Sequence, residues 1–163
     1  MAAEGVLRQV AGRDWSVRAG VLTWDVEQTI THMLGAVAKY TLYLASRCEH
    51  FIGLAVTRWP DATNEELIDS IIPVATGFAA VAANTPPDVR VFHAIGPSSA
   101  SDYLGRACVE LLVHADDALA GLGVPWAPPL DLCQRVLDQQ FPEATRSVNP
   151  WHALLAANGR PIR

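Results

Sequence analysis

Glu110-Leu111-Leu112-Val113-His114 sets a carboxylate and an imidazole four residues apart. On a helix such residues lie one turn above the other, so both point to the same side. At about 100° per residue that side also carries Tyr103, Ala107, Asp117 and Gly121. Ala107 and Gly121 are small and leave space above the pair. Asp117, three residues past His114, is placed to orient a ligand or handle a proton. A third ligand must come from another helix, and His32 is the best candidate, with Gln28, Ala36, Lys39 and Tyr43 around it at helical spacing. Two histidines and one carboxylate with an open position suit catalytic zinc. The same set matches the facial arrangement that holds non-haem iron. His93, in the loop ahead of the Glu110 helix, could reach the cleft as an acid or base, or simply pack that loop.

These residues need helices to position them. Across Thr23–Arg47, Val26, Ile30, Met33, Val37, Thr41 and Leu44 recur at intervals of three and four, with Thr23 as a cap and Asp25 and Glu27 in the first turn. Thr63-Asn64-Glu65-Glu66 reads as a capping box for a helix running towards Asn84, kinked or broken by Pro73 and Gly77. Thr85-Pro86-Pro87-Asp88 is a turn, and Val89–Ile95 is read as loop. Ser98–Ser101 offer caps for a helix to about Gly121, striped by Leu104, Cys108, Leu111, Ala115, Leu119 and Leu122 and stopped by Gly121 and Gly123. Leu130–Gln140, behind Pro128-Pro129, and Trp151–Ala157, before Asn158-Gly159, complete the set. With no convincing strand alternation, an all-α bundle is the expected architecture, as one domain over residues 1–163. On the helical wheel all three candidate ligands lie roughly 100–140° from their apolar stripes. Either they line a wet cleft beside the bundle, or they are surface residues that share a spacing.

Composition narrows the classes. The chain has 163 residues, a net charge of −5 and 50% hydrophobic residues. A pI near 5.4 supplies no basic stripe, which argues against nucleic acid. The apolar stretches are interrupted short of the roughly 20 residues that cross a bilayer, and Met1–Val10 has no signal-peptide core. Cys48, Cys108 and Cys133 are unpaired by spacing and read as reduced, inert thiols, which places the protein in the cytoplasm. Trp24, Trp59, Trp126 and Trp151 bracket helix ends and are expected to anchor them.

From about Asp14 to Arg160 the chain resembles the DinB-like superfamily, and within it the actinobacterial proteins named for mycothiol-dependent maleylpyruvate isomerase. The resemblance rests on Leu22-Thr23-Trp24 leading into Thr31-His32-Met33-Leu34, on Glu110 to His114 with Asp117, on Gly121-Leu122-Gly123, and on Pro150-Trp151 through Leu154-Leu155 to Asn158-Gly159-Arg160. It implies a DinB-like four-helix bundle with short additional helices. It also implies a divalent metal, zinc first with iron or nickel as alternatives, held by His32, Glu110 and His114. Mycothiol would bind that metal and attack a small electrophilic substrate as thiolate, in a transfer or an isomerisation, with Asp117 as the supporting polar residue. A homodimer is compatible with the family. The sequence departs from the family pattern at Ala94, where proline is usual, and at Asp116, where a bulky residue is usual. The isomerase itself carries a further C-terminal domain that contributes to its active site, and this sequence ends at Arg163, so its own reaction is not implied. Three rival readings remain on the same residues: a non-haem iron enzyme, a non-catalytic bundle that binds a small molecule, and a biosynthetic enzyme reusing the scaffold without metal.

Overall fold

A computed structural model describes residues 2–144 and 148–162. Its elements are α1 (Ala2–Gln9), α2 (Val26–Ser46), α3 (Asn64–Asp69), α4 (Ile71–Ala83), α5 (Ala100–Gly121), α6 (Leu130–Gln140) and α7 (Pro150–Ala157), with no strand among the described residues. The expected all-α bundle is therefore observed. Helix α1, which the sequence reading passed over, buries Ala3 and Leu7 in the core.

Helices α2, α3 and α5 begin where a short polar side chain satisfies their first amides. The cap of α2 is Asp25, not Thr23: its carboxylate accepts from the Gln28 amide while the Gln28 side chain accepts from the Asp25 amide. Thr63 and Glu66 form the expected box on α3, and Ser99 with Asp102 does the same for α5. The break between α3 and α4 falls at Ser70. Pro73 explains it, because a proline ring crowds the carbonyl four residues back, at Asp69, and offers that carbonyl no N–H. Gly77 interrupts nothing. Taken through this junction, Asn64–Ala83 is long and apolar enough to cross a membrane by length and composition alone. That corrects the expectation that every apolar stretch stops short. Here Leu67, Ile68, Ile71, Phe78 and Ala82 from this stretch are buried in the core.

Helices α2 and α5 form the central pair, with α4 against both. They run antiparallel: His32 meets His114, whereas Tyr40, further along α2, meets Tyr103, nearer the start of α5. On its other flank α5 sends Leu112 and Val113 into a second apolar cluster with Cys133, Val136 and Leu137 of α6 and Trp151, Leu154 and Leu155 of α7. Being covered on several sides, α5 does not follow a single stripe. Leu104, expected inside, is 41% exposed, while Tyr103, Ala107, Asp116 and Asp117 are buried.

Candidate metal centre

His32, two turns into α2, and Glu110 and His114, one turn apart on α5, are brought together where the two helices face each other. One donor atom from each lies within 4.8 Å of the other two. Glu110 Oε2 is 3.2 Å from His114 Nε2 and 3.7 Å from His32 Nε2. Ligands about 2.0–2.1 Å from a tetrahedral ion stand roughly 3.4 Å apart, so the set is sized for one divalent cation. Glu110 Oε2 is buried and accepts no hydrogen bond among the described residues. A cation bound there would supply what that oxygen lacks. The side chains are not splayed into solvent: His114 is 12% exposed and Glu110 20%, while His32, at 44%, forms the open rim.

Each member is braced from behind. Asp117 Oδ2 lies 3.3 Å from His114 Nδ1, which leaves Nε2 for the shared centre. Asp117 is fully buried and is held by Arg160, whose Nη2 and Nε donate to its carboxylate at 2.9 and 3.2–3.3 Å. The Tyr40 hydroxyl donates to Glu110 Oε1 at 3.1 Å, so this carboxylate presents its other oxygen to the centre. The Trp24 indole lies 4.7 Å from the His32 ring, centroid to centroid, and packs against it at a tilt.

Charge follows contact. Burial alone would push the His114 imidazolium down, but the carboxylates of Asp117 and Glu110 outweigh it and raise its pKa to about 8. Burial works against the Glu110 and Asp117 carboxylates, yet His114 beside both, with Arg160 on Asp117, holds each below the usual range. His32 is lowered, chiefly by desolvation and with His114 adding to it, so it is neutral and ready to ligate. Tyr40 is raised strongly by burial and by Glu110, which keeps its proton on the hydroxyl.

His93 stands apart from the three. Its Nδ1 is 3.2 Å from Arg106 Nη1, and its ring centroid is 5.6 Å from that of Tyr103 and 6.3 Å from that of Tyr40. Burial and Arg106 both lower its pKa. Asp116 is buried against a separate cleft with Gly20, Val21, Ala120 and Val124. Cys133 is buried and Cys108 half-buried, and desolvation raises both thiols. Trp126 and Trp151 pack edge to face, as anchors should. Trp59 anchors nothing of the kind, being 77% exposed. Tyr40, Trp24 in its role over His32, and Arg160 were missed as site residues. Tyr40 could have been found from its place two turns from His32 on the same helix, whereas Trp24 and Arg160 stood in the stretches that carry the family resemblance without a role being read for them.

The comparisons fit this arrangement. A family profile described as the mycothiol maleylpyruvate isomerase N-terminal domain matches residues 2–119. The chain belongs to this family. The matched span includes α1, Trp24, His32 and the Glu110–His114 pair, and leaves out α6, α7 and the 150–160 stretch. No curated protein and no solved structure matches the chain.

Proposed function

We propose that this DinB-like protein is a cytoplasmic metal-dependent enzyme that uses mycothiol to transfer to, or isomerise, a small electrophilic substrate. The observation that carries the reading is the convergence of His32, Glu110 and His114 within 4.8 Å of one another, in a chain of the mycothiol maleylpyruvate isomerase N-terminal domain family. These three side chains would hold the divalent ion, zinc by preference, with iron served by the same donors. When bound, such an ion lowers the pKa of a coordinated thiol and so supplies a nucleophile at neutral pH. The chain's own residues do the rest. Asp117 fixes the tautomer and orientation of His114, and Arg160 keeps Asp117 ionised. Tyr40 holds Glu110 in one orientation, and Trp24 packs against the His32 ring. His93, whose Nδ1 faces the Arg106 guanidinium and the Ile95 amide, packs at the Tyr40 edge of the site.

Protein purified under metal control should carry close to one equivalent of zinc or iron, and His114→Ala should carry almost none. Equal metal in the two proteins would reject the site. Mycothiol-dependent turnover of a panel of small electrophiles then tests the chemistry. Turnover that persists without the thiol, or none with any electrophile, would favour an enzyme of another kind or a binding bundle.

A further inference from the structure

Helix α5 is covered on two sides by different apolar clusters, and the two do not close against each other. Leu111 belongs to the cluster shared with α1 and α2, Leu112 to the one shared with α6 and α7, and Trp126 packs against both. On the seam between them a cavity of about 190 Å³ remains. Its floor is α5, where Cys108 and Leu112 stand one turn apart. At 100° per residue these two lie about 160° from Glu110, so the cavity is on the far side of α5 from the metal centre. Ala3 of α1, Leu132 of α6 and, from the connecting loop, Trp126, Pro128 and Pro129 complete its walls.

Those walls are held apart. Trp151 packs edge to face on Trp126, with ring centroids 5.7 Å apart. The loop is tied to α5 by the Val124 amide on the Leu119 carbonyl and to α6 by the Cys133 amide on the Pro129 carbonyl. Between those ties two proline rings fix the backbone. Ala3 and Cys108 are too short to fill the space from α1 and α5. Packed interiors rarely leave a void larger than a water molecule, so one framed this firmly is a feature of the fold. It is also reachable: Cys108, Trp126 and Leu132 are half-buried and Pro129 is exposed, which puts the mouth at the surface.

The lining decides what can enter. No side chain around the cavity carries a charge, an amide or a hydroxyl. Burial pushes the Cys108 thiol up, so its sulfur stays protonated and neutral. An ion or a strongly polar group would lose its water there without a partner to replace it. Apolar cavities of about 150 Å³ take up benzene.

We propose that this cavity is a second ligand site, independent of the metal centre, for a small neutral aromatic hydrocarbon. A single benzene ring with a short alkyl substituent fills it, lying on Cys108 and Leu112 between Leu132 and the Trp126 indole.

Toluene is the probe. It is titrated into the full ¹⁵N-labelled chain, stripped of metal so that the result stands whether or not the metal centre behaves as proposed above. The Trp126 Nε1–H resonance, assigned by its loss in Trp126→Phe, should shift saturably. Phenol, of similar size but with a hydroxyl to desolvate, should bind about tenfold more weakly, and benzoate should not bind. Filling the space from either wall, by Cys108→Leu or Ala3→Leu, should weaken toluene binding at least tenfold in whichever variant keeps the native amide spectrum. A Trp126 signal that stays still up to the solubility limit of toluene would overturn the assignment. So would phenol or benzoate binding as tightly as toluene, or undiminished affinity in a folded filling variant.

Discussion

At the scale of single residues, the closest ion pair around the site stands behind it, Arg160 with Asp117 at 2.9 Å. Asp117 faces the Nδ1 side of His114 and takes the Arg160 guanidinium on its other edge. Carboxylates in this position commonly change metal affinity by 10- to 100-fold. Asp117→Asn should therefore lower zinc affinity by about that range while all three ligands remain, as read by competition with a chromophoric chelator. Proton competition gives a second test. Without metal, His114 keeps its proton up to about pH 8. Below that pH an arriving ion must displace one proton, so apparent affinity should climb about tenfold per pH unit and level off above pH 8. A flat profile between pH 6.5 and 8 would show that no such proton is displaced.

At the scale of elements, the Glu110–His114 spacing made half the site legible, because residues four apart on a helix need no tertiary information to share a face. His32 was legible more weakly, as a histidine in the strongest helical signal of the chain. The wheel angles that separated these residues from the apolar stripes arise because α2 and α5 meet at a polar seam beside their apolar contact. Tyr40 was hidden because tyrosine on a helix face is ordinarily core. The stripe assigned to α5 failed at Leu104 because a helix covered on several sides has no single periodic face. Gly121 was read as a helix stop, but it is helical, and its lack of a side chain serves another need. A Cβ there would meet the Arg18 carbonyl oxygen at 2.4 Å and Ala19 Cα at 3.0 Å, both backbone. Gly121→Ala should cost about 1–3 kcal/mol by overpacking, measured by urea denaturation. It should also weaken metal binding, because the displaced segment leads into Trp24.

At the scale of the whole molecule, helix count and order were readable wherever caps and prolines punctuate the chain, and Leu130–Gln140 matched residue for residue. What could not be read was long-range pairing. Arg160 reaches Asp117 across 43 positions, and nothing local to either residue announces it. The N-terminal helix was overlooked for a related reason, since eight residues gain their helical stability from the core they cover rather than from their own propensity. In protein that has bound zinc, chelation should increase amide hydrogen exchange along α2 and α5 and leave α6 and α7 little changed, because the second apolar cluster does not depend on the ion.

The antiparallel seam between α2 and α5 carries a mechanical meaning. With His32 on one rod and Glu110 and His114 on the other, an ion would act as a rivet joining two stretches with nearly half the chain between them. A slip of one helical turn, about 5.4 Å, would pull the rivet out. Metal occupancy would thus be a gauge of how faithfully the two rods keep their alignment, and loosening the core far from any ligand would be felt first as a lost ion.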